Sequence, residues 1–140
     1  MATLNPYIYF NGNCEQAFNH YRQVFKKDFK YLGRYKDVPQ VERSIFKETD
    51  EKIMHVSLPI SKETILMGAD NLEVYNNTLI NYNFSLIVST DSKEEADRIF
   101  NGLSDGGKII MPMDLTFWGS YYGICVNQFG VNWKITFESE

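Results

Sequence analysis

Histidine and cysteine are both scarce here: the chain has two of each. Cys14 and Cys125 are too few for a disulfide framework, so reduced thiols and a cytoplasmic location are expected. With His20 and His55 alone, a three-histidine metal site within one chain is excluded. No apolar run approaches the roughly 20 residues of a spanning helix, and no membrane partner is expected. Met1 to Pro6 lack a basic stretch followed by an apolar one, so no secretory signal is expected. A basic stripe is missing too. The formal net charge is −4, and the richest basic stretch, Arg22 to Lys36, is interrupted by Asp28; nucleic acid is not an expected partner. No G-x-x-x-x-G-K loop occurs. Gly106-Gly107 follows a helical segment and precedes a strand, the reverse of the order a cofactor-binding βα turn requires.

Aromatic residues are plentiful: ten Phe, nine Tyr and two Trp, 15% of 140 residues. That share implies an aromatic core or a ring-lined pocket. Hydrophobic residues at 44% and charged residues at 23% are ordinary for one globular domain over 1–140.

Tyr7-Ile8-Tyr9-Phe10 reads as a strand that ends at the turn cluster Asn11-Gly12-Asn13. Asn13, with Gln16 three residues on, reads as an N-cap and capping box. Ala17, Phe18, Tyr21, Val24 and Phe25 then recur at helical spacing. Phe29–Tyr35 reads as a short strand, 37–52 as a loop with a strand at Val41–Phe46, and Ile53–Ile60 and Thr64–Gly68 as a hairpin; a loop follows over 69–81. The order then repeats. A strand covers 83–88. Asp91 with Glu94 reads as the next cap, and Ala96, Ile99, Phe100 and Leu103 form one helical face. Lys108–Met111, Ser120–Val126 and Trp133–Phe137 read as strands. The pairs Ala17/Tyr21 and Ala96/Phe100 hold matching places. The expected architecture is α+β: two βαβββ modules, roughly 1–75 and 80–140, forming curved mixed sheets around a shared cleft with the helices on the outer face.

The residues that carry a family likeness are spread along nearly the whole chain. They are Asn5-Pro6-Tyr7-Ile8-Tyr9-Phe10 before Gly12-Asn13, Ile53-Met54-His55-Val56-Ser57-Leu58 before Leu66-Met67-Gly68-Ala69-Asp70, Gly106-Gly107-Lys108 before Met111-Pro112, Phe117-Trp118-Gly119 before Tyr122-Gly123, and Phe129-Gly130-Val131-Asn132-Trp133. As an ordered set they resemble the PhnB-like branch of the vicinal oxygen chelate superfamily, which also holds glyoxalase I, bleomycin-resistance proteins and extradiol dioxygenases. The resemblance implies a paired βαβββ fold, commonly a homodimer. It implies no single reaction, since one fold hosts many functions. In metal-dependent members the ligands fall at positions that align with about Asn5, Leu66 or Met67, Asn83 or Ser85, and Thr136. None is a good ligand for a divalent transition metal, so no metal and no cofactor are expected. A carboxylate set from Asp70, Asp114 or Glu138 is the remaining route to a metal. The family's acidic residue two places before the Phe-Gly turn is Asn127 here.

The candidate ligand-binding residues are His55, Asp70, Tyr7, Tyr9, Trp118 and Tyr122. His55 is either a strand histidine with a backbone partner or a pocket group that binds or protonates a ligand. Asp70 is either a turn aspartate or an acceptor on the pocket rim. Tyr7 and Tyr9 share one strand face, opposite the apolar pair Ile8 and Phe10, and should point to the cavity. Trp118 and Tyr122 form either core or an aromatic wall for a planar or cationic ligand. Met67, Met111 and Met113 are gap fillers or soft cleft walls. Cys14 at the first turn of a helix is read as inert. No nucleophile–base set can be assembled. The expected function is metal-free binding or sequestration of a small molecule in an aromatic cleft, as in bleomycin resistance. The alternative is a metal-dependent lyase, isomerase or dioxygenase; the ubiquinone methyltransferase label carried by some members finds no support in the motifs.

Overall fold

The computed structural model describes residues 3–37, 51–70 and 85–138. The element order is β1 (Tyr7–Phe10), α1 (Cys14–Phe25), β2 (Tyr31–Arg34), β3 (Ile53–Pro59) and β4 (Ile65–Asp70), then β5 (Leu86–Thr90), α2 (Lys93–Ser104), β6 (Lys108–Leu115), β7 (Tyr121–Val126) and β8 (Asn132–Phe137). The expected strand at Val41–Phe46 lies outside the described residues. The chain divides into two compact units, residues 1–80 and 81–140.

In the first unit the strand order is β1-β4-β3-β2. β1 runs parallel to β4, while β4 to β3 and β3 to β2 are antiparallel. α1 packs on β3 and β4 through Cys14, Ala17, Phe18, Tyr21, Val24 and Phe25, all buried, the face that the helical spacing selects. Gly68 lies under Phe18: a Cβ there would meet the ring at 2.7 Å and the Ile8 carbonyl oxygen at 2.8 Å. Phe10 meets Phe18 edge to face, with centroids 6.1 Å apart.

The second unit repeats the plan as β5-β8-β7-β6, with β5 parallel to β8. α2 packs on this sheet through Ala96, Ile99, Phe100 and Leu103. Trp133, Ile135 and Cys125 are buried. Asn127 is itself buried, and its Oδ1 accepts the N–H groups of Phe129 and Val131 at 3.0 Å each. An amide oxygen thus holds this turn without a charge.

The curved sheets around a cleft are not what the chain forms: the sheets are flat and open, each with two edge strands. Four strands are too few to close, since closure takes about eight. Bends come from bulges, and these are few: one where Gly33 and Arg34 face β3, and two in β6 between Ile109 and Asp114. Each sheet has one face covered by its own helix.

The helix caps also differ from expectation. The Asn13 side chain makes no cap bond. The second helix is capped by Ser92, whose Oγ accepts the Glu95 N–H at 3.0 Å, while Glu95 Oε1 accepts the Asp91 N–H at 2.9 Å. β6 runs on to Leu115 despite Pro112. An edge strand tolerates proline at a bulge, where no partner needs its N–H.

Candidate functional site

On the first sheet, register and alternation put Tyr7 beside Met67, Met67 beside Ser57 and Ser57 beside Tyr31, all on the face away from α1. Tyr9 and His55 share that face. The Tyr7 hydroxyl and His55 Nδ1 are hydrogen-bonded at 3.0 Å, and the histidine tautomer decides which donates. Ring centroids lie 5.2 Å apart for Tyr7 and Tyr9, 5.5 Å for Tyr7 and His55, and 5.9 Å for Tyr31 and His55. Ser57 and Ala69, both buried, give this face a floor of small residues. The Tyr31 ring leans over Gly33, where a Cβ would sit 2.4 Å from the hydroxyl oxygen. Tyr7, Tyr9 and Tyr31 remain 39%, 57% and 47% exposed. Burial first, and then the neighbouring Tyr9, Cys14 and Tyr35, push the Tyr7 phenol up to about 12, so it holds its proton at neutral pH.

Three of the six candidate residues, Tyr7, Tyr9 and His55, are thus brought together. Tyr31 joins them although the sequence reading passed over it; an aromatic residue two places before a strand glycine was the available signal.

Asp70 stands apart. It is 2% exposed, its Oδ1 accepts the Cys14 N–H at 3.0 Å and its Oδ2 accepts the Ile53 N–H at 2.9 Å. Its carboxylate sits on the first turn of α1, where the helix dipole favours a negative charge. Cys14 is buried at that turn. Burial and then the Asp70 carboxylate push its thiol well above the ordinary range, so the reactive thiolate is suppressed.

The remaining two candidates, Trp118 and Tyr122, belong to the second unit. Their rings meet edge to face at 5.7 Å, and Phe117 packs on Trp118 at 4.9 Å. Phe117 and Trp118 rise from the turn between β6 and β7, and Tyr122 lies on β7 just after it. There Thr116 N and Oγ1 both donate to the Ser120 carbonyl at 2.8 Å, and Gly119 takes a positive φ of 98°. A hollow of about 430 Å³ runs along Met111, Pro112, Met113, Asp114, Leu115, Thr116, Phe117 and Trp118. Tyr121 points the other way: its hydroxyl donates to Asp97 on α2, and that bond first of all raises its phenol to about 12.

The metal of the superfamily does not fit the aligned positions among the described residues; Asn83 lies outside them. Asn5 Oδ1 already accepts the Ile65 N–H at 2.9 Å. Leu66 is buried, Met67 offers a thioether, and Thr136 is buried with only a hydroxyl. Among the described residues, no group of three His, Cys, Asp or Glu side chains is gathered to hold a metal ion. A methyl-donor cofactor finds no cradle at the N-termini of the two α-helices among the described residues either. Asp70 occupies the start of α1, and Ser92 with Glu95 occupies that of α2. No helix among the described residues is long and apolar enough to cross a membrane.

Comparison with known proteins agrees with the fold. A structure of protein PA1353 from Pseudomonas aeruginosa is 34% identical with a TM-score of 0.87, over 100% of both chains. The PhnB protein of Bacillus cereus is 22% identical, TM-score 0.71, over 97% of this chain and 99% of that one. A glyoxalase/bleomycin resistance protein/dioxygenase family enzyme from Burkholderia phytofirmans PsJN shares the fold at 14% identity and a TM-score of 0.67, over 99% and 100%. The family model described as 3-demethylubiquinone-9 3-methyltransferase matches residues 2–136. The chain belongs to that family, the PhnB-like branch within the glyoxalase/bleomycin-resistance fold.

Proposed function

We propose that this protein binds a planar small molecule on the tyrosine face of its first unit and does not transform it. The observation that carries this reading is the cluster of Tyr7, Tyr9 and Tyr31 around His55, three rings left between 39% and 57% exposed on one sheet face. Contiguous exposed apolar surface marks an interaction site. Each stacked ring contributes about 0.5–1.5 kcal/mol beyond area burial. The Tyr7 hydroxyl and the His55 imidazole supply hydrogen bonds to a polar substituent. Among the described residues, the hydroxyl that meets His55 is the Tyr7 phenol, and burial pushes it up to about 12, so it stays protonated and a poor nucleophile at neutral pH. Asp70, with both oxygens taken, contributes by holding β3 and α1 in place. The family's methyltransferase description is not adopted as an activity, because the starts of both α-helices among the described residues are taken up by Asp70 and by Ser92 with Glu95. Pairing as a homodimer and work in the cytoplasm belong to the same reading, supported by the family resemblance and by the free, buried state of both cysteines.

The test is a thermal-shift screen of the full chain against quinones, flavonoids and acridines. A ligand present at 100 times its Kd raises stability by about 2.7 kcal/mol. Saturable shifts that weaken about tenfold in Tyr9→Ala and Tyr31→Ala are expected. A screen with no stabilising compound, or hits indifferent to both substitutions, would overturn the reading.

A further inference from the structure

We infer that the hollow along the bulged edge of the second unit is a binding site for a small organic cation of the quaternary ammonium class. It is independent of the tyrosine face, since every residue involved lies in the second unit.

β6 carries one extra residue against β7 between Ile109 and Met111, and another between Met111 and Asp114. Bulges of this kind bend an edge strand and re-aim its side chains. The outcome is the 430 Å³ hollow, lined by Met111, Met113, Leu115, Phe117 and Trp118 among others, with the Met113 sulfur turned toward Gly123 and Phe100. Among the described residues, Asp114 is the only charged one that lines it. Register puts Asp114 beside Tyr122, and the Tyr122 ring meets Trp118 at 5.7 Å. Asp114 is thus the strand neighbour of the residue whose ring makes an edge-to-face pair with Trp118, and both Asp114 and Trp118 line the hollow. Phe117 is 98% exposed and Trp118 55% exposed, so ring faces are left for an occupant.

This combination selects charge and softness together. The faces of Trp and Tyr attract a cation, with Trp the strongest. Methionine sulfur is polarisable and adapts to irregular shapes. A quaternary ammonium matches such a wall because it has no N–H that demands an acceptor, and one carboxylate balances its charge. Asp114 Oδ1 already accepts the Leu115 N–H at 2.8 Å, which orients the carboxylate. Lys134, which register places on the same sheet face, sits on β8 beside Ile124, one strand beyond Tyr122.

The probe is choline, compared with its uncharged carbon isostere 3,3-dimethylbutan-1-ol. Each is titrated into the ¹⁵N-labelled full chain while the two indole N–H signals are followed. The Trp118 signal should move saturably with choline, while that of Trp133, which is 2% exposed in the core, stays in place. The isostere should bind at least about tenfold more weakly. By calorimetry, Asp114→Asn should weaken choline about fivefold and Trp118→Leu about tenfold, with melting temperatures checked to show that both variants fold. Equal binding of choline and its isostere would reduce the hollow to a greasy surface and overturn the cation site. So would a Trp118 signal that does not saturate. Choline binding without any hit for the tyrosine face sinks only the proposed function; the reverse sinks only this inference.

Discussion

At the residue scale Asp70 shows how one side chain can be read two ways until its partners are seen. A lone carboxylate at a strand end after Gly68 suits a pocket rim as well as a turn. Its two oxygens in fact join α1 to β3 through the Cys14 and Ile53 N–H groups. Removing the carboxylate leaves two buried N–H groups unpaired, at about 1–3 kcal/mol each. Asp70→Ala should therefore cost about 3–5 kcal/mol in urea unfolding, and Asp70→Asn about half of that because one acceptor survives. A loss within the scatter of ordinary surface substitutions would remove the staple role. Tyr7 gives a second expectation at this scale. Its phenol ionises near 12 in the folded chain, against about 10 when unfolded. The pKa is raised on folding, so its contribution to stability is intact below about pH 10 and is lost as pH rises toward 12. Tyr7→Phe should flatten the stability curve between pH 10 and 12, as read from chemical unfolding across that window.

At the element scale the helices were readable and their caps were not. Steps of three and four selected Ala17, Phe18, Tyr21, Val24 and Phe25, and the same residues are buried. Capping depends instead on local backbone angles and on what approaches from elsewhere in the chain. Asn13 has a capping residue's identity, yet Asp70 arrives from β4 and takes the Cys14 N–H. The second cap shifted by one residue, from Asp91 to Ser92. Ser92→Ala should cost about 1 kcal/mol, the usual loss for a capping hydroxyl, while Asn13→Ala should cost only a few tenths. Equal losses for the two, measured by thermal or urea unfolding, would contradict the cap assignment. The strand ends obey the same logic. The sequence reads as a strand only over Lys108–Met111, but the edge strand runs on through Pro112 and Asp114 by way of bulges. The sequence displayed Met111 and Met113 as cleft-wall candidates, Asp114 as a carboxylate and Trp118 as a ring; the bulges that gather them along one edge were not legible.

At the scale of the whole molecule, the repeat of strand, helix and three strands was legible because hydrophobic period and punctuation encode it. The shape of the sheets was not. Alternation says which residues share a face and nothing about curvature, which is set by bulge number and placement. The same limit applied to Tyr31, whose ring matters because Gly33 lets it lie across the strand. What the family positions hold was legible, and it supplies a last expectation. Asn5 spends its oxygen on Ile65, Met67 and Thr136 offer a thioether and a hydroxyl, and divalent transition metals favour imidazole, thiolate and carboxylate. A resident metal binding only the folded state would add RT ln(1 + [L]/Kd) to stability. Protein purified without chelator or metal-affinity resin should therefore carry zinc, nickel, manganese and iron far below one per chain by elemental mass spectrometry. Its melting temperature should not move on adding a chelator or zinc. A stoichiometric metal whose removal lowers the melting temperature would mean that other donors in the chain hold it. The metal-dependent lyase, isomerase or dioxygenase reading would then displace the binding one.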